Sequence, residues 1–135
     1  VLARGWDGKI MNTLTISNMK HTWLIDIDGT IFKHNGYKDV GGDEMLPGVL
    51  ELWNSIPEND TIILLSARKQ SDKNTTLAAM DNFGLRYDFA IFDLPYGERI
   101  LINDKKPKGL ETALSLNINR DEGMSDINIT VDKSL

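Results

Sequence analysis

The chain has 135 residues, 41% apolar and 26% charged, with a formal net charge of −5. That is enough chain for one domain with a proper core, and the acidic balance gives little general attraction to nucleic acid or anionic lipid. There is no cysteine, which excludes a disulfide framework and thiolate metal sites and fits a cytoplasmic protein. No stretch approaches the ~18 apolar residues of a membrane span, and no charged start precedes an apolar segment as in a secretory signal.

Residues 1–20 are polar and aperiodic apart from a weak Leu14/Ile16 alternation. They read as a lead-in with at most a short edge strand. The chain begins at Val1, and Met11 and Met19 would both serve as natural starts, so residues 1–10 read as an addition or a remnant of a longer chain. Residues 21–135 read as a single domain. His21–Ile27 (HTWLIDI) is rich in β-branched and aromatic residues and predicts a strand. Residues 31–46 carry Gly36, Gly41 and Gly42 among polar residues and predict a loop or small hairpin. Pro47 opens a helix whose Val49, Leu50, Trp53 and Ile56 recur at helical spacing, and Pro57 stops it. Thr61–Leu65 (TIILL) is an unbroken apolar run, as in a parallel strand buried on both faces. Ser71 or Asp72 caps a second helix that runs to about Phe83 and ends at Gly84. Phe89–Leu94 and Arg99–Ile102 predict further strands, and Lys108–Leu116 a helix. Ile127–Val131 alternates and is read as an added edge strand. Strands alternating with helices predict an α/β domain, a Rossmann-like three-layer sandwich with a mainly parallel sheet, whose ligands bind beyond the carboxyl ends of the strands.

Three of these strands end in polar residues. The first ends in Asp26 and Asp28, the second in Ser66 with Arg68 and Lys69 following, the fourth in Asn103 and Asp104 with Lys105 and Lys106 following. Parallel strands would bring all of them to one edge. Three carboxylates close together repel unless something compensates, and a divalent cation with oxygen ligands does so. The hydroxyl and the cations suit a phosphate. The pattern therefore predicts metal-assisted phosphoryl transfer.

At this point the sequence resembles the haloacid dehalogenase superfamily of phosphatases. The DxDGT motif is present as Asp26-Ile27-Asp28-Gly29-Thr30, the second motif as Ser66 in LLSAR, and the fourth as Asp104 in LIND. The resemblance implies that Asp26 is a nucleophile that becomes an aspartyl phosphate, and that Asp28 protonates the leaving oxygen and then activates water. It implies phosphate contacts from Gly29, Thr30, Ser66, Ala67 and Arg68, and a Mg²⁺ site made by Asp26, the backbone carbonyl of Asp28, and Asp104. Arg68 and Lys69 also read as a solvated turn. The third-motif cation is displaced from its usual form: Arg99 is the first choice, Lys105 the next, and Lys69 lies nearby. The fourth motif is Asn-Asp, so Asn103 removes one negative charge.

The short flap at 31–46 and the five residues 94–98 leave no room for a cap domain. By resemblance, capless members accept protruding substrates or use a neighbouring subunit as a lid, so self-association is compatible with this chain. The stretch LPYGERILINDKKPKG is similar to small phosphatases of surface-polysaccharide synthesis. It points to a small-molecule phosphomonoester, a phosphorylated sugar or polysaccharide building block. Two other readings compete: a receiver-like phosphoacceptor domain, and a catalytically silent phosphate-ligand-binding module on the same scaffold. A phosphomutase fits less well without a cap. His34 and Tyr37 in the flap read as surface residues first and leaving-group contacts second; His21 reads as structural, and Trp23 and Trp53 as core. Arg120, in NINRDEG, has no role legible from the sequence.

Overall fold

A computed structural model describes residues 2–4 and 10–135, with side chains from residue 12 onward. The architecture is α/β with mainly parallel strand pairing. Its strands are β1 (Leu2–Arg4), β2 (Ile10–Ile16), β3 (Thr22–Asp26), β4 (Thr61–Leu65), β5 (Phe89–Ile91) and β6 (Ile127–Val131). Its helices are α1 (Val49–Ser55) and α2 (Lys73–Asn82), and a 3₁₀ turn lies at Gly36–Lys38. One sheet has the order β3-β4-β5 with both pairs parallel; the other has the order β1-β2-β6, with β2 parallel to β6 and antiparallel to β1. No helix among the described residues is long and apolar enough to cross a membrane.

The first sheet positions the site. Alternation along its strands sends Ile25, Ile62 and Leu64 into one cluster with Val49, Leu52 and Trp53 of α1 and Met80 of α2. Ile27, Ile62 and Leu64 are fully buried there. The other face carries Leu24, Ile63 and Phe89 side by side in register, and Leu24 and Phe89 stay 46% and 62% exposed. The expectation that Thr61–Leu65 is buried on both faces is therefore met on one face only.

Both helices form where the sequence places them, and Gly84, at φ +73°, ends the second. The flap forms a small hairpin, with Lys33 N–H donating to Glu44 O and Leu46 N–H to Ile31 O, both at 2.9 Å. Two expectations fail. Arg99–Ile102 makes no strand, and Ile100 and Ile102 are 83% and 90% exposed. Lys108–Leu116 makes no helix; Gly109 sits at φ +107° and the segment turns back through a Lys106 N–H bond to Leu110 O. The cause is packing. A nine-residue helix is marginal without a face to bury, and a strand without a partner has no ladder.

The lead-in also differs from expectation: β2, within residues 1–20, is the middle strand of the second sheet. Residues 1 and 5–9 lie outside the described residues. β6 returns alongside β2 from a loop that is pressed against α1. A Cβ on Gly123 would meet Pro47 O, and one on Gly48 would meet the backbone of Ser125. Met124 N–H donates to Pro47 O at 2.8 Å. This contact fixes the loop at 119–126, which matters for the site.

At the amino end of β4, far from the site, Asp60 is a buried anchor. Its carboxylate accepts from His21 N–H at 3.0 Å, His21 Nδ1 at 2.8 Å and Trp23 Nε1 at 2.9 Å. Burial alone would raise its pKa, but the hydrogen bonds from Trp23 and His21 outweigh that and hold it below the usual carboxylate range. A carboxyl depressed in the folded state lends stability that is complete above its unfolded pKa of about 3.9 and lost as pH falls through the folded value. Asp60→Asn is expected to cost about 1.5–3 kcal/mol at neutral pH and to flatten the fall of melting temperature below about pH 4. Parallel melting curves for the two proteins across that range would contradict this.

Candidate functional site

β3 ends at Asp26, on the open face beyond Leu24, and the chain then turns sharply. Thr30, Ile31 and Phe32 N–H all converge on Ile27 O, and Gly29 N–H donates to Phe32 O at 2.7 Å. Gly29 takes φ +80°, a left-handed conformation that glycine adopts without strain. The buried side chains of Ile31 and Phe32 lock the far side of the turn. The turn holds the Asp26 carboxylate at the carboxyl edge of the sheet. Thr30 Oγ1 donates to its Oδ2 at 2.9 Å, and Arg99 Nη1 donates to its Oδ1 at 2.9 Å. The Asp26 side chain is 34% exposed and that of Arg99 39%, so this pair faces solvent.

Asp28, two residues on, is held differently. Arg68 grips it through Nε at 3.0 Å and Nη2 at 2.9 Å, a two-pronged bond. The same guanidinium grips Asp43 of the flap, through Nη1 at 2.9 Å and Nη2 at 2.7 Å, and reaches Thr76 Oγ1 of α2 at 3.0 Å. Its ζ-carbon lies 4.1 Å from the centre of the Tyr37 ring, a cation–π contact. Arg68 is only 3% exposed. Burial alone would lower its pKa, but hydrogen bonds to Asp43 and Asp28 outweigh that and raise it above the ordinary arginine value. Burial, followed by the charges of Asp28 and Asp72, pushes the Tyr37 hydroxyl above its usual value. Ser66, at the end of β4, is 1% exposed, and its Oγ accepts the Arg68 N–H at 2.9 Å. It shapes the loop that delivers Arg68.

The structure thus brings together Asp26, Asp28, Gly29, Thr30, Ser66, Arg68 and Arg99, with Ala67 half-buried between Ser66 and Arg68. It does not bring Asp104 and Lys105 to them. Both are exposed in the irregular segment, where the Asp104 carbonyl accepts from Thr112 Oγ1. The strand that was to deliver Asp104 does not form. Arg68, expected among the phosphate ligands, has its guanidinium taken up by Asp28, Asp43 and Thr76, so a phosphate would have to displace an aspartate. Lys69 is an exposed turn residue.

The donor set accordingly does not fit Mg²⁺ as arranged. Among the described residues no three His, Asp or Glu side chains gather closely enough to hold a metal ion. The Asp26 oxygens are occupied by Thr30 and Arg99, and the Asp28 oxygens by Arg68. Compensation of the acidic cluster comes from guanidinium groups.

Sequence reasoning missed two residues. Asp43 supplies the third carboxylate from the flap; it sits in an aperiodic glycine-rich run, and only the fold shows that it turns inward. Arg120 lies over the turn that follows β3. A Cβ on Gly29 would come within 3.0 Å of Arg120 Cγ, and Asp121 N–H donates to Gly29 O at 3.0 Å. No family model, curated protein or solved structure matches this chain. The functional reading therefore rests on the residues themselves.

Proposed function

We propose that the protein is a phosphomonoester hydrolase working through an aspartyl phosphate, built on a capless core of the haloacid dehalogenase type. One observation carries the reading: a half-exposed aspartate at the carboxyl end of β3, fixed by Thr30 and Arg99, with a second aspartate two residues on. Asp26 attacks phosphorus, the bond from phosphorus to the leaving oxygen breaks, and the phosphoryl group stays on Asp26. Asp28, with one oxygen released by Arg68 and protonated in the substrate complex, gives that proton to the leaving oxygen. It later takes one from the water that attacks phosphorus and frees inorganic phosphate and Asp26. Arg99 moves from Asp26 to the phosphoryl oxygens as negative charge passes to them. Magnesium, expected from the resemblance, enters as a requirement to be measured, with no step assigned to it. The open site suits a protruding substrate, and a phosphorylated sugar or polysaccharide building block is the proposed class.

Among the described residues no three carboxylates gather closely enough to hold a metal ion, and Arg68 closes both Asp28 oxygens; these favour a second reading: a silent phosphate-binding module. Hydrolysis of an aryl phosphate, measured with Mg²⁺ and with chelator, separates the two. Turnover is the expected result, and its response to chelator measures whether a metal is required. Binding of inorganic phosphate without turnover of aryl or sugar phosphates would establish the silent module.

A further inference from the structure

Two of the three arginines around the nucleophile turn are already engaged. Arg68 is saturated by Asp28, Asp43 and Thr76, and Arg99 holds Asp26. Arg120 is exposed, and among the described residues it forms no ion pair. Its position is nonetheless built. Asp121 takes φ +64°, a left-handed conformation uncommon outside glycine, which aspartate and asparagine adopt more readily than other residues. That turn is held from three sides: Asp121 N–H to Gly29 O at 3.0 Å, His34 N–H to Asp121 Oδ1 at 2.7 Å, and Met124 N–H to Pro47 O at 2.8 Å. The loop is thus clamped between the nucleophile turn, the flap and the start of α1. It presents the Arg120 stem to the one residue of the turn that has no side chain. Arg120 Cγ and Nε lie 3.0 and 3.7 Å from where a Gly29 Cβ would stand. A side chain there would push the arginine away, so glycine serves the close approach as well as the backbone angle.

We infer that Arg120 is a substrate-binding residue that holds an oxyanion of the phosphomonoester. This rests on the phosphatase reading for its substrate but is testable apart from it. A guanidinium is suited to forked contacts with phosphate or carboxylate oxygens, and this one lies over Gly29, the residue between Asp28 and Thr30 in the chain, with no ion-pair partner among the described residues. The oxyanion is either the reacting phosphoryl group or a second phosphate on the leaving group.

The test compares the unmodified protein with Arg120→Gln and Arg120→Lys on an aryl phosphate with an uncharged leaving group and on a hexose bisphosphate. Loss of a charge-assisted contact is expected to raise KM roughly 10- to 100-fold in Arg120→Gln, with partial recovery in Arg120→Lys and an unchanged melting temperature. A rise for both substrates assigns the reacting phosphoryl group; a rise for the bisphosphate alone assigns the second phosphate. Unchanged KM for both overturns the inference while leaving the phosphatase reading intact. If the unmodified protein turns neither over, calorimetric binding of inorganic phosphate and of the bisphosphate decides. Weaker binding in Arg120→Gln upholds the inference without the phosphatase reading, and equal or absent binding overturns it.

Discussion

Asp26→Asn is expected to lower turnover of any phosphomonoester substrate by roughly 10⁴-fold or more, the scale of losing a covalent nucleophile. An amide oxygen is too weak a nucleophile to displace the leaving group, and among the described residues no other carboxylate bonds to Thr30 or Arg99. The fold should survive. Asparagine keeps the shape, and its carbonyl oxygen still accepts one of the two bonds now made by Thr30 and Arg99. The Arg99–Asp26 pair is more than a third exposed on both sides, so its loss should cost less than about 1 kcal/mol. Steady-state kinetics and a thermal melt on the same preparation check both halves. Turnover within tenfold of the unmodified protein would end the aspartyl-phosphate mechanism, and a collapsed melt would call for Asp26→Glu instead.

The parts legible in the sequence were those fixed by local pattern and burial together. β3, α1, β4 and α2 each send apolar residues into the same cluster, so local pattern and packing agree. The turn after β3 was legible because Asp-Gly-Thr following an apolar run has few ways to fold. Arg99–Ile102 and Lys108–Leu116 failed for the opposite reason. RILI reads as a strand by composition, but strand formation is decided by a neighbour, and β3 has none on its outer edge among the described residues. Lys108–Leu116 has a helical spacing of leucines interrupted at once by Gly109, and Leu114 remains half exposed. The placing of Asp104 depended on that strand and fell with it. Asp43 and Arg120 were illegible for another reason. They reach the site from distant loops through contacts at Arg68 and Gly29 that leave no periodic trace. Arg99 was legible only through the resemblance, as the candidate for the third-motif cation, and its Nη1 lies 2.9 Å from Asp26 Oδ1.

Arg68→Met is expected to destabilise the fold by about 3–5 kcal/mol, the scale of breaking a buried ionic cluster by removing one side. For a domain whose total stability is of order 5–15 kcal/mol, that leaves a marginal protein. The cause lies in what remains. The side chains of Asp28 and Asp43 are 19% and 3% exposed, and without the guanidinium each faces the other's charge in a place with little water. The Tyr37 ring also loses the cation stacked on it. Arg68→Lys should recover only part of the loss, since an ammonium group cannot grip both carboxylates and Thr76 in one plane. Adding Asp43→Asn to Arg68→Met should recover more, because it removes the repulsion at its source. Urea unfolding of the four proteins measures this directly. The result also separates two roles for the residue. A phosphate ligand at this position would raise KM with little change in stability, whereas a clasp that sets the direction of Asp28 and ties the flap to α2 would show its effect in the unfolding midpoint first. The burial of Arg68 predicts the second order of effects, and Arg68→Met with an unchanged midpoint and a raised KM would restore it to the phosphate.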